Sequence, residues 1–140
     1  MSAASEHVIA EHTITAWCLS MADSIRQANL DAHMDRVSRR VRVYGVPSKE
    51  VIDYRDWKSR RQYEFTHGEI LAVNYLNTRL VSSTQKRIRF VTTETTVGKN
   101  GKILVLNKNI ILEREDDDVW RVVEENVTDW QIRNIDLSKF

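Results

Sequence analysis

The chain has one cysteine, one proline and four glycines in 140 residues. A lone Cys18 forms no internal disulfide, and the N-terminal Met-Ser-Ala-Ala-Ser-Glu-His lacks the basic-then-apolar order of a secretory signal. Both absences point to a reducing, cytoplasmic setting. Four glycines leave little material for a backbone cradle around phosphate, and neither GxGxxG nor GxxxxGK[ST] occurs. HExxH, CxxC and GxSxG are absent too, so no metalloprotease, zinc-ribbon or hydrolase signature is present. No apolar run approaches the ~20 residues that cross a bilayer. Net charge is +1, so no overall field draws nucleic acid.

What is there is a composition 41% hydrophobic and 29% charged. Its length suits one domain, residues 1–140, with a real core. Charge is unevenly placed. Residues 36–61 hold nine basic and three acidic side chains, and residues 113–129 hold eight acidic and two basic ones. The two stretches could pair within one fold, join subunits, or leave a basic patch for an anion. Nucleic acid is not the expected partner, because one basic stretch in a neutral protein is thin support.

Ile14, Trp17, Cys18, Met21, Ile25 and Ala28 recur at intervals of three and four, which predicts a helix over 8–28 with Ser5 as its cap. Asn29 caps a second, short helix over 30–38. Residues 40–46 alternate as a strand. Pro47 and Ser48 predict a third helix from there to about Arg60, with 62–66 either extending it or forming a strand. Strands follow over 70–82, 86–97, 102–114 and 119–133. Gly98-Lys-Asn-Gly101 reads as a hairpin turn, since Asn-Gly accepts positive φ.

In 102–114 two apolar phases coexist. Leu104, Leu106, Ile110 and Leu112 share one; Ile103, Val105 and Ile111 share the other. A sheet with one wet face shows a single apolar phase. Both faces are therefore expected to be covered, one by helices and the outer one by a second subunit in a homodimer.

Candidate chemistry is sparse. His7 and Glu11 lie one helical turn apart, but two ligands at a helix start do not make a zinc site, and no metal or cofactor is expected. Cys18 lies on the apolar helix face as a small hydrophobe. Residues 113–118 lack the spacing of a calcium loop. Trp17, Tyr44, Tyr54 and Trp57 fall on elements that face the sheet, as pocket lining or as core. Glu94 shares phase with Ile88 and Phe90 and either points inward, with a raised pKa suited to acid–base work, or turns outward on a bulge.

Two helices, a strand, a third helix and long antiparallel strands resemble the nuclear transport factor 2-like superfamily, the cystatin-like α+β cone. The residues that carry the likeness are Ala28-Asn29-Leu30-Asp31-Ala32-His33-Met34 running into Val41-Arg42-Val43-Tyr44-Gly45, and the late strand Val119-Trp120-Arg121-Val122-Val123-Glu124-Glu125. The resemblance implies an α+β fold, with N-terminal helices packed in the concave face of a strongly curved, mostly antiparallel sheet. It also implies a pocket for a small apolar ligand. Its members include ketosteroid isomerases, SnoaL-like cyclases, dehydratases, hydrolases and proteins without catalysis, so fold does not fix function. Aligned without gaps through Leu30, the isomerases' oxyanion tyrosine falls at Met21 and their general-base aspartate at Gly45. A thioether donates no proton and glycine has no side chain. Trp17, one turn before Met21, can donate a hydrogen bond but is no base.

The expected function is a small-ligand-binding or dimeric interaction domain without the isomerase pair, its pocket drawn from Trp17, Met21, Tyr44, Tyr54, Trp57 and Glu94. The alternative is a SnoaL-like enzyme for a small apolar carbonyl compound, using Tyr44, Tyr54 and Glu94.

Overall fold

The computed structural model describes residues 2–134. Helix α1 runs Ala3–Arg26. It starts five residues before the expected position, because Ser2, with extended backbone, accepts from the Ser5 amide and so takes the cap role that the sequence assigned to Ser5. Its buried stripe is Ala10, Ile14, Trp17, Cys18, Met21 and Ile25, the spacing of one helix face. Asn29 caps α2, Leu30–Met34, by accepting from the Ala32 amide. Helix α2 ends four residues short of expectation because Val37 already opens strand β1, Val37–Tyr44.

The stretch after Pro47 corrects the third helix. Val51–Ile52 form a short strand, β2, paired antiparallel to the end of β1. The β-branched pair favours extended backbone. Helix α3 is Tyr54–Thr66. It begins at a reciprocal capping box, in which the Asp56 amide donates to Asp53 at 2.9 Å and the Asp53 amide to Asp56 at 3.2 Å. Residues 62–66 continue the helix.

Four long strands complete the fold: β3 Ile70–Ser83, β4 Arg87–Gly98, β5 Lys102–Arg114 and β6 Trp120–Asn134. The sheet order is β2-β1-β6-β5-β4-β3, antiparallel throughout except where β1 runs parallel to β6. Register shifts interrupt β6 opposite Ile111/Leu112 and opposite Asn107/Lys108, and bulges of this kind bend and twist a strand. The fold is α+β, with the helices held in the concavity of a curved sheet.

Gly45 closes the turn after β1 with φ +85°, and a Cβ there would sit 2.2 Å from the Val127 carbonyl oxygen of β6. No other residue fits this close crossing of two backbones.

One end of the concave face is dry. Ile88, Phe90, Ile110, Leu112 and Val122 are at most 1% exposed and pack in one core with Trp17 and Met21 of α1. Trp17 meets Phe90 edge-on, with ring centroids 6.1 Å apart.

Candidate functional site

The same inward rows change character toward the other end of the strands. On β4 the row passes from Phe90 through Thr92 to Glu94. On β5 it passes from Ile110 to Lys108. On β6 it reaches Glu125, which pairs with Ile110. Helix α3 covers these residues with Trp57, Arg61 and Glu64. The space between is a cavity of about 540 Å³, its remaining wall largely apolar, with Leu104, Leu106, Val127, Trp130 and Ile132 toward the mouth. An apolar cavity with a few convergent polar groups is the usual form of a small-molecule site.

Lys108 lies at its floor between two carboxylates. Its ammonium donates to Glu125 Oε1 at 2.8 Å and contacts Glu94 Oε2. All three side chains are buried: Glu94 is 4%, Lys108 7% and Glu125 3% exposed. Burial works against the Lys108 charge, but Glu125 and Glu94 outweigh it and hold the pKa above the ordinary value. Lys108 is thus an ammonium and not a free nucleophilic amine. Burial likewise opposes the Glu94 charge, yet Lys108 and Arg61 keep its carboxyl below the usual range. Glu125 goes the other way. Burial pushes its pKa up and the Glu94 charge adds to this, against the pull of Lys108 and Arg61. The two carboxyls that share one ammonium are thus shifted in opposite directions.

Among the described residues no buried side-chain nitrogen or oxygen lacks a partner. Glu125 accepts from Lys108 through Oε1, and Glu125 and Glu94 both line the cavity. Both carboxyls are therefore placed where a bound molecule can meet them.

His33 of α2 organises the wall. The Ser24 hydroxyl donates its one proton to the Met21 carbonyl at 2.8 Å, so it can only accept from His33 Nδ1 at 3.0 Å. His33 Nε2 then accepts from Trp57 Nε1 at 2.9 Å and from Arg61 Nε at 3.3 Å. The imidazole is neutral. Burial first, then Arg61 and Lys108, lower its pKa to about 2. It fixes Trp57 and aims Arg61, which also holds Glu64 at 2.6 Å.

Of the residues singled out in the sequence, Trp57 and Glu94 line the cavity. The other four lie elsewhere. Trp17 is buried in the dry end, and its indole donates to the Arg36 carbonyl at 3.1 Å. Met21 is core. Tyr44 sits exposed at the end of β1. Tyr54 lies beneath Arg39, 5.2 Å from guanidinium to ring centroid, in a separate polar groove of about 650 Å³. That groove's charges are largely matched: Arg40 pairs with Glu113 and Glu115, and Arg121 with Asp35, Glu115 and Asp117. The basic and acidic stretches thus meet within one fold.

Sequence reasoning passed over Lys108, Glu125, Arg61 and His33. Lys108 carried a readable signal, because it occupies the inward phase of Leu104, Leu106, Ile110 and Leu112. A charge in an apolar row needs a buried partner. Glu125 had no such signal, since the register shifts of β6 break its alternation. Cys18 is buried, with its pKa raised to about 12 by burial and then by Glu94 and Glu125, so it remains a thiol. Among the described residues no group of three or more His, Cys, Asp or Glu could hold a metal ion, and no helix is long and apolar enough to cross a membrane.

No protein-family model and no curated protein sequence matches the chain. Solved structures do. A candidate scytalone dehydratase from Novosphingobium aromaticivorans superposes with a TM-score of 0.71 at 7% identity, over 94% of this chain and 93% of its own. A type 2 hexachlorocyclohexane dehydrochlorinase gives 0.66 at 8% identity, over 91% of each chain. A candidate dehydratase of the nuclear transport factor 2-like family from Streptomyces avermitilis gives 0.64 at 8% identity, over 82% of this chain and 91% of its own. At such identities the likeness establishes the fold, and that fold is the nuclear transport factor 2-like α+β cone.

Proposed function

We propose that the protein is an enzyme that binds a small, mostly apolar compound in the cavity and exchanges a proton with it through Glu125, as a lyase or isomerase does. The observation that carries this reading is the buried Glu94–Lys108–Glu125 cluster in the wall of the cavity. In an elimination, Glu125 as carboxylate takes a proton from carbon. The C–H electron pair becomes the new double bond, and the leaving group departs with its own pair. Lys108 and Arg61 stabilise negative charge that develops on a carbonyl or leaving group. The fold neighbours add support, since a dehydratase and a dehydrochlorinase are both named for eliminations.

Small β-hydroxy carbonyl compounds tested for loss of water provide the assay. Glu125→Gln should lower kcat by roughly 10²–10⁴-fold, the usual scale for a lost proton carrier. Binding should change far less. Unaltered turnover in Glu125→Gln would sink the assignment.

A second reading is a binding domain without catalysis. The engagement of both carboxylates by Lys108 favours it, because such a cluster also serves as a fixed polar anchor. Saturable binding with no turnover of any compound would select it.

The outer sheet face suits a homodimer. Val91, Val97, Ile103 and Val105 alternate there half-buried, beside an exposed Leu76. Pairing two copies would bury this apolar strip. Sedimentation should show a dimer at micromolar concentration, and Val105→Glu should shift it to monomer. A wild-type monomer at that concentration removes this proposal.

A further inference from the structure

The cavity holds an uneven set of charges, and the imbalance bears on what it binds. This inference rests on the cavity being a ligand site and names the charge class of the ligand. On α3, Arg61 and Glu64 pair at 2.6 Å, with side chains 15% and 21% exposed, and cancel one another. On the floor, one ammonium, Lys108, faces two carboxylates, Glu94 and Glu125. His33 is neutral and Tyr75 is held as the phenol by burial and the Glu94 charge, so neither supplies a cation. Arg60 at the mouth is exposed and donates to Ser48. The interior therefore has one carboxylate more than it has cations.

A buried, uncompensated carboxylate is costly and finds a counter-charge or a proton. In the empty cavity a proton on Glu125 is the local remedy. A ligand can supply the other. We propose that the cavity takes a small organic cation, an amine on an aromatic or aliphatic body, whose ammonium lies at the Glu94–Glu125 end and supplies the positive charge that the floor lacks. The walls suit such a ligand. Leu104, Leu106, Val127 and Ile132 match an apolar body, and the ring of Trp57 or Trp130 offers a face to a cation. An anionic ligand would add a further negative charge beside the two floor carboxylates. A neutral ligand would leave Glu125 to its proton.

The ligand's charge then has a chemical consequence. With the cation bound, Glu125 is a carboxylate and can accept a proton from carbon. With the cavity empty, burial and the Glu94 charge favour its protonated form. The substrate would thus bring its own base into play. Charge reaches Glu125 from Lys108 on β5, Glu94 on β4 and Arg61 on α3. Tyr75 on β3 and Cys18 on α1 face it in neutral form, Glu64 lines the same cavity, and β1 contributes the uncharged Val43 beside it.

The test is calorimetric titration of the full chain with three probes of one shape: 2-phenylethylamine, 2-phenylethanol and phenylacetate. The amine should bind at least ~10-fold tighter than either of the others at neutral pH. Its affinity should fall with acidification, as the Glu125 proton competes. Titrations in buffers of different ionisation enthalpy should show protons released on amine binding and none with the alcohol. Glu125→Gln should abolish the amine preference, bringing the amine and the alcohol within ~3-fold of one another. Glu94→Gln also removes the surplus charge and should abolish the preference too, which serves if the first variant fails to fold. The proton release of the wild-type protein decides if both fail. Alcohol or phenylacetate binding as tightly as the amine overturns the inference and leaves the cavity reading standing. Amine binding without proton release also overturns it. No binding by any probe removes both.

Discussion

The two ends of the concave face are built from the same strands and the same inward rows, yet they are opposite environments. At one end β4 and β5 present Ile88, Phe90, Ile110 and Leu112, sealed by α1. Four residues along β4 and two along β5, they present Glu94 and Lys108. The first end is the kind of core any fold needs. The second holds three buried charges where apolar side chains of similar size would pack. Replacing a buried ion cluster by apolar residues is often neutral or stabilising by about 1–4 kcal/mol, so stability gives no reason for the cluster to be there. That cost is what sets the candidate site apart from the core.

Substitutions at the two ends should differ in pH dependence more than in size. Lys108→Met leaves Glu94 and Glu125 buried without the ammonium between them and should cost about 3–5 kcal/mol at neutral pH. Without Lys108 both carboxyls have folded pKa values above their unfolded ones. The loss is therefore felt above the unfolded carboxylate range and recovers as pH falls and both take protons. Phe90→Ala should cost a similar ~3–5 kcal/mol, with no such recovery. Urea unfolding of both variants at neutral and acid pH checks the contrast, and parallel pH profiles would break it. The sharper version is the triple change Lys108→Met, Glu94→Leu and Glu125→Leu, which turns the open end into a copy of the closed one. It should fold with roughly wild-type stability and bind none of the probes.

The smallest effect concerns the link between the ends. His33 is fully buried and neutral, with its pKa lowered from 6.5 to about 2. A lowered histidine value stabilises the fold above the unfolded pKa, and the contribution is lost as pH falls below it. From about pH 6.5 to about pH 5 this single group should remove about 2 kcal/mol. His33→Gln, which has no ionisable ring, should be less stable at neutral pH but flatter over that window. An unchanged acid slope in the variant would show that other groups set it.

Much of the fold was legible because its signals are local. The Gly98–Gly101 turn, the strands on either side of it and the spacing of Trp17, Met21 and Ile25 follow from backbone preference and periodicity. The start of α3 was misjudged because Pro47-Ser48 resembles a helix opening. The capping box Asp53–Asp56 behind two β-branched residues is the stronger signal. The site was less legible, for a physical reason. Phase alone left Glu94 open between an inward and an outward place. Lys108 settles it, but the two meet only through the pairing of β4 with β5, and Glu125 joins them across two interruptions in β6. His33 sits in a helix of five residues, too short to show a face. Aromatic side chains carry the clearer sequence signal, yet of Trp17, Tyr44, Tyr54 and Trp57 only Trp57 lines this cavity.

The close crossing at Gly45 bears on how such a site can change over generations. A carboxylate at this position is not one codon change away from being useful, because its first carbon would overlap the backbone of β6 before the charge mattered. In this chain a base facing the cavity therefore has to stand elsewhere on the sheet. Inward positions on β4 and β6 hold a glutamate without that overlap. The path of least mutational resistance therefore leads away from the turn and toward the floor, where the carboxylates are found.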